Sequence, residues 1–111
     1  MPRNPNPYIP QDLGEVYDYV ASMMLRSPTF VDKTGYFPWR NVETTFHALK
    51  QGLKRIRPEL GEESFSQLAQ MSKQMRAYFE ADPEKKTGET LKGRELILDM
   101  MDLLKAARAK P

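Results

Sequence analysis

Residues 41–80 decide the fold, and they read NVETTFHALKQGLKRIRPELGEESFSQLAQMSKQMRAYFE. Apolar side chains recur at spacings of three and four on both sides of a break at Pro58 and Gly61. The first stripe comprises Val42, Phe46, Leu49, Leu53 and Ile56, and the second comprises Phe65, Leu68, Met75 and Phe79. Because residues at this spacing share one face of an α-helix, the stretch predicts two amphipathic helices joined by a tight turn.

The segments on either side of this hairpin predict two further helices. The first follows Pro10 and stops before Pro28, because the residue that precedes a proline avoids the helical region. The last carries an apolar arc wider than a helix facing one core requires. The four helices are expected at about residues 11–25, 41–57, 62–81 and 87–107. We therefore predict an all-α fold, a single-domain bundle of four amphipathic helices over residues 11–111.

Two segments of the chain are not expected to be helical. Residues 1–10 contain four prolines and should form an extended arm. Residues 27–40 form a long connection between the first two helices that is rich in aromatic side chains. Its aromatic residues include Phe30, Tyr36, Phe37 and Trp39. These side chains either cover the bundle as an ordered loop, with Trp39 packed, or bind a partner, since aromatic residues are enriched at interface hot spots.

The composition excludes several classes of protein. The 111 residues include no cysteine, so disulfides, thiolate catalysis and cysteine-ligated zinc or iron–sulfur sites are ruled out. No stretch approaches the ~20 apolar residues of a membrane span, and residues 1–10 do not resemble a signal peptide. The net charge of +2 is nearly balanced. We therefore expect a cytoplasmic protein that does not associate with membranes.

The sequence offers no recognisable catalytic or cofactor-binding constellation. The single histidine, His47, has only Glu43 nearby as a second ligand, which is too few for a metal site. No nucleophile elbow or glycine-rich phosphate loop is present. The methionine pairs are better explained as core filling than as copper ligands. The prediction is a non-enzymatic protein without metal or cofactor.

Two surfaces are candidates for binding. The first combines the aromatic residues of the 27–40 connection with part of the last helix, where Leu96, Met100 and Leu103 form a second apolar line. Either this line is buried in the fold or it meets another chain. The second surface is a basic stripe on the second helix, formed by His47, Lys50, Lys54 and Arg57. The stripe is either solvated, paired with acidic groups, or bound to phosphates.

These observations favour a protein-interaction module that regulates or neutralises a protein partner. A helical adaptor and a small bacterial-type immunity or antitoxin protein both fit, and a homo-oligomer would also cover the apolar arc. The alternative is a nucleic-acid-binding helical domain that uses the basic stripe. Balanced net charge argues against a long phosphate track, so a protein partner is the preferred prediction.

Overall fold

The computed structural model describes residues 9–30 and 41–108, and within these residues every regular element is an α-helix. The helices are α1 (Leu13–Arg26), α2 (Val42–Arg55), α3 (Arg57–Leu60), α4 (Glu62–Ala81) and α5 (Glu89–Arg108). The predicted all-α class is therefore confirmed. No helix within this described part of the chain combines the length and apolar character that a bilayer crossing requires.

Side-chain caps set where α1 and α2 begin. Asp12 precedes α1 and accepts a hydrogen bond from the backbone N–H of Glu15 at 2.8 Å. The predicted start at residue 11 is therefore too early, because Asp12 caps the helix from outside it. Asn41 caps α2 as predicted: it accepts from the N–H of Thr44 at 2.9 Å, and its own N–H donates to the Thr44 hydroxyl at 3.1 Å.

The break between the two central helices contains a helix of its own. The sequence predicted a turn there, but α3 forms a single helical turn directly after Ile56. Pro58 is tolerated because its missing N–H falls in the first turn, where no intrahelical acceptor is lost. Gly61 then ends α3 with a φ of 83°, a left-handed conformation that glycine adopts at little cost. The described residues thus contain five helices where four were predicted.

The long helices enclose one apolar core. α5 packs against α4 and α1, and α2 packs against the same two helices. The tyrosine hydroxyl of Tyr19 on α1 donates to the carbonyl of Thr45 on α2 at 3.2 Å. Buried core residues come from every helix and include Val16, Val20, Met23, Leu49, Leu53, Ile56, Leu60, Leu68, Met75, Phe79, Ile97, Met100 and Leu104. This packing leaves one face of the α2–α4 pair open to solvent.

Candidate functional site

A groove runs between α2 and α4 on the surface of the protein. The floor of the groove is formed on the α2 side by Phe46 and Leu53, which are only 5% and 2% exposed, and on the α4 side by the half-buried residues Phe65, Ala69 and Ser72. Its volume is about 490 Å³, which falls in the usual range for ligand-binding clefts. On each helix the floor residues extend over seven positions, or about two helical turns. The groove is therefore largely apolar and parallel to α2 and α4.

Five cationic side chains line this groove. Lys50 and Lys54 project from α2, Arg57 is the first residue of α3, and Lys73 and Arg76 project from α4. Three of the four residues predicted to form a basic stripe are therefore brought together at one site. The fourth, His47, is exposed on α2 and does not line the groove.

Two of the five cations are already paired with carboxylates. The Arg57 guanidinium donates to both oxygens of Glu62 at 2.6 Å and lies 4.6 Å from the ring centre of Phe65. Hydrogen bonding between the two groups, with their charge attraction, raises the pKa of Arg57 and lowers that of Glu62. Arg76 donates to Glu80 at 3.1 Å. These pairs fix the two arginines beside the floor.

The three lysines of the groove are different. Lys50, Lys54 and Lys73 form no ion pair with any residue in the described ranges 9–30 and 41–108. They lie on opposite sides of the apolar floor of the groove, two on α2 and one on α4. A ligand with an apolar face flanked by negative charge would satisfy both the floor and the lysines.

The residues predicted to contact a partner divide into two groups. Phe30 and Met100 are completely buried. The Phe30 ring packs edge-on against Phe46 at 5.6 Å and Phe79 at 5.3 Å between ring centres. Both side chains therefore serve the core, and a partner surface must use other residues. Phe30 lies at the end of the described segment after α1, where a φ of 58° turns the chain and the ring faces the core.

The other predicted residues are less deeply placed. Leu96 and Leu103 are half-buried and pack against the core cluster from its edge. Tyr36, Phe37 and Trp39 lie outside the described residues, so the predicted packing of Trp39 stays a prediction.

Sequence reasoning missed the α4 half of the groove. Lys73 and Arg76 continue the line of Phe65 and Ala69 at helical spacing, which is a signal that the sequence does contain. It was not decisive because the predicted hairpin does not say which faces of its two helices remain open to solvent. Among the described residues no cluster of three or more histidine or carboxylate side chains is arranged to hold a metal ion.

The fold and the groove describe the protein in structural terms only, as an all-α protein whose apolar groove is flanked by lysines. Comparison of the chain with protein-family models, with curated proteins and with solved structures gives no significant match. The groove is therefore the feature of this molecule that bears on function.

Proposed function

We propose that this chain is a non-enzymatic protein-interaction module whose α2–α4 groove binds an acidic, amphipathic helix of a protein partner. The observation that supports this proposal is the coincidence of an apolar floor with three lysines that have no carboxylate partner among the described residues. Apolar contact would provide most of the affinity, and the lysines would orient the acidic ligand and accelerate its association.

The shape of the floor supports a helical ligand. An amphipathic helix binds a groove through side chains at positions i, i+3 or i+4, and i+7. Phe46 and Leu53 on α2 are seven residues apart, as are Phe65 and Ser72 on α4. A ligand helix lying along the groove would therefore place two or three apolar side chains on the floor, with its flanking carboxylates near the lysines.

Nucleic acid is the second candidate, and the cluster of cations is what favours it. Phosphates would bind the lysines, and binding would weaken steeply with salt. The apolar floor supports it less well. The aromatic ring of the groove on which a base would stack is the half-buried Phe65, and the guanidinium of Arg57 already lies over that ring.

The proposal includes the finer predictions made from the sequence. The four long helices are taken to form a bundle, preceded by an extended arm at residues 1–10, with an aromatic-rich connection at residues 27–40. The proposed role is that of a cytoplasmic adaptor or of an immunity or antitoxin-like protein of the bacterial type. In either role the groove would hold a segment of the regulated or neutralised protein.

A designed peptide tests the proposal directly. The probe is a fluorescent 16-residue helical peptide with leucines at i, i+3 and i+7 and glutamates on both flanks. Its control has the same composition, with the leucines distributed around the helix. We expect saturable binding of the first peptide only. Reversing Lys50→Glu and Lys54→Glu should weaken it about tenfold or more, since attraction becomes repulsion. The matched reversal of Arg55 and Lys85, which are exposed and lie outside the groove, should have little effect.

One substitution separates the two candidate functions. Ala69→Arg would fill the groove while adding a positive charge, and the half-exposed position allows the long side chain to reach solvent. The protein-partner proposal expects this variant to lose peptide binding. If mixed-sequence duplex DNA or single-stranded RNA binds the parent and binds Ala69→Arg equally well or better, while the peptide binds neither, the nucleic-acid function replaces it. Circular dichroism checks that each variant is folded.

A further inference from the structure

The outer face of α5 is a second unusual surface. Leu91 and Leu98 are large apolar residues that remain 63% and 51% exposed. Glu95 lies between them and Asp102 follows them, so the four residues form one line along the helix at spacings of four, three and four. Asp99 lies beside this line. This face has two apolar side chains with carboxylates between and beside them. It therefore matches the acidic, amphipathic ligand that we propose for the α2–α4 groove.

The length of this face matches the length of the groove. Leu91 and Leu98 are seven residues apart, which places them roughly 10.5 Å apart along the helix axis. The half-buried floor residues Phe65 and Ser72 have the same separation on α4. Two leucine side chains at this distance would therefore contact both ends of the floor together.

The charges of the two surfaces are also complementary. Glu95, Asp99 and Asp102 are exposed and form no ion pair with another residue in the part of the chain that the structure describes. Lys50 and Lys54 in the groove are unpaired in the same sense. Bringing the surfaces together would give each set of charges its missing partner, beside an apolar contact that excludes water.

We propose that the outer face of α5 docks into the α2–α4 groove of a second copy of this chain. The two surfaces do not meet within one molecule, because Leu91 and Leu98 are exposed there. The contact joins different patches of the two copies, so it is heterologous and builds head-to-tail assemblies. This inference rests on the groove of the proposed function, and it adds regulation: self-association and partner binding compete for one site.

Sedimentation velocity of the full chain tests this proposal through charge reversal. At low salt the weight-average sedimentation coefficient of the parent should rise with protein concentration, and added salt should reduce the rise. The groove variant Lys50→Glu/Lys54→Glu and the α5 variant Glu95→Lys/Asp102→Lys should each remain monomeric alone. An equimolar mixture of the two should associate again, because the native α5 face of the first variant meets the native groove of the second, and the two reversed surfaces also attract each other.

A matched control places the same charge change elsewhere. Asp18→Lys/Glu84→Lys reverses two exposed carboxylates outside α5 and should associate like the parent. A parent that stays monomeric from micromolar to submillimolar concentration would overturn the proposal, as would an α5 variant that associates like the parent. The same α5 variant separates the two proposals. If it still binds the acidic peptide while the parent does not self-associate, the groove function stands and only the docking of α5 is wrong.

Discussion

Gly93 allows α5 to approach α4 at the ring of Phe79. A Cβ atom at Gly93 would lie 2.5 Å from the nearest carbon of that ring, well inside van der Waals contact. Phe79 is completely buried and also packs edge-on against Phe30, so a displacement of the ring would disturb that contact. A single missing side chain therefore sets how closely the two longest helices approach each other.

The first residue-scale prediction concerns this close approach. Alanine normally stabilises a helix relative to glycine by up to about 1 kcal/mol. We expect Gly93→Ala to destabilise the protein instead, by about 1–3 kcal/mol, because the new methyl group overpacks the core. Gly14→Ala is the control, since its Cβ would meet only Asp12 at an ordinary 3.5 Å. Urea unfolding measures both variants, and a stability gain for Gly93→Ala would contradict the described packing.

Whether an individual apolar side chain is buried or exposed was the least predictable feature of the molecule. The sequence left two alternatives for Phe30, which lies in the aromatic-rich connection at residues 27–40: covering the bundle or binding a partner. The burial of Phe30 between Phe46 and Phe79 depends on a left-handed backbone turn that no local pattern announces. Leu91 and Leu98 are exposed, and the sequence did not predict this because leucines on an amphipathic helix are expected to face a core.

At the scale of elements, Asp82 holds the connection between α4 and α5 together. Its side chain is only 2% exposed and accepts hydrogen bonds from the backbone N–H groups of Lys86, Thr87 and Thr90 at 2.6, 3.2 and 3.1 Å. The Thr90 hydroxyl donates back to the Asp82 carbonyl at 2.9 Å. Burial alone would raise the pKa of Asp82, but these hydrogen bonds outweigh burial and lower the pKa below its ordinary value.

This lowered pKa predicts a pH-dependent contribution to stability. A carboxylate whose pKa is lower in the folded than in the unfolded chain stabilises the fold above its unfolded pKa, about 3.9. That contribution is lost as the pH falls through the folded value. We expect Asp82→Asn to be less stable than the parent near pH 7 and to lose less stability on acidification to pH 3. Thermal melts across this range measure the difference. Parallel curves for the two proteins would show that Asp82 contributes nothing to the acid sensitivity.

Helix positions were largely predictable because their causes are local. The apolar spacing identified the long helices, and Asn41 and the Asp82–Pro83 pair marked ends that the structure reproduces. The errors also have local causes. α3 was read as a turn because Pro58 suggests a break, although proline is compatible with a first helical turn. The predicted hairpin placed α2 beside α4, but the sequence does not say which residues of the two helices line a common groove, since that depends on how each helix is rotated about its own axis.

At the scale of the whole molecule, a nearly neutral chain separates its charges into two surfaces. Lysines and arginines gather along the α2–α4 groove, and carboxylates gather along the outer face of α5. The net charge of +2 conceals this separation. The interaction of exposed charges falls off within about 10 Å at 0.1 M salt. Each surface therefore attracts a binding partner mainly through its own charges.

The most direct test of the central claim is to map where an acidic amphipathic helix binds. The measurement is a titration of ¹⁵N-labelled protein with the designed leucine–glutamate peptide, followed by amide chemical shifts. We predict saturable changes concentrated at residues 46–57, from α2 to the first residue of α3, and at residues 65–76 of α4, with little change for the same peptide with its leucines dispersed. Changes centred on α1 or α5, or equal responses to both peptides, would contradict the assignment of the groove as the binding site.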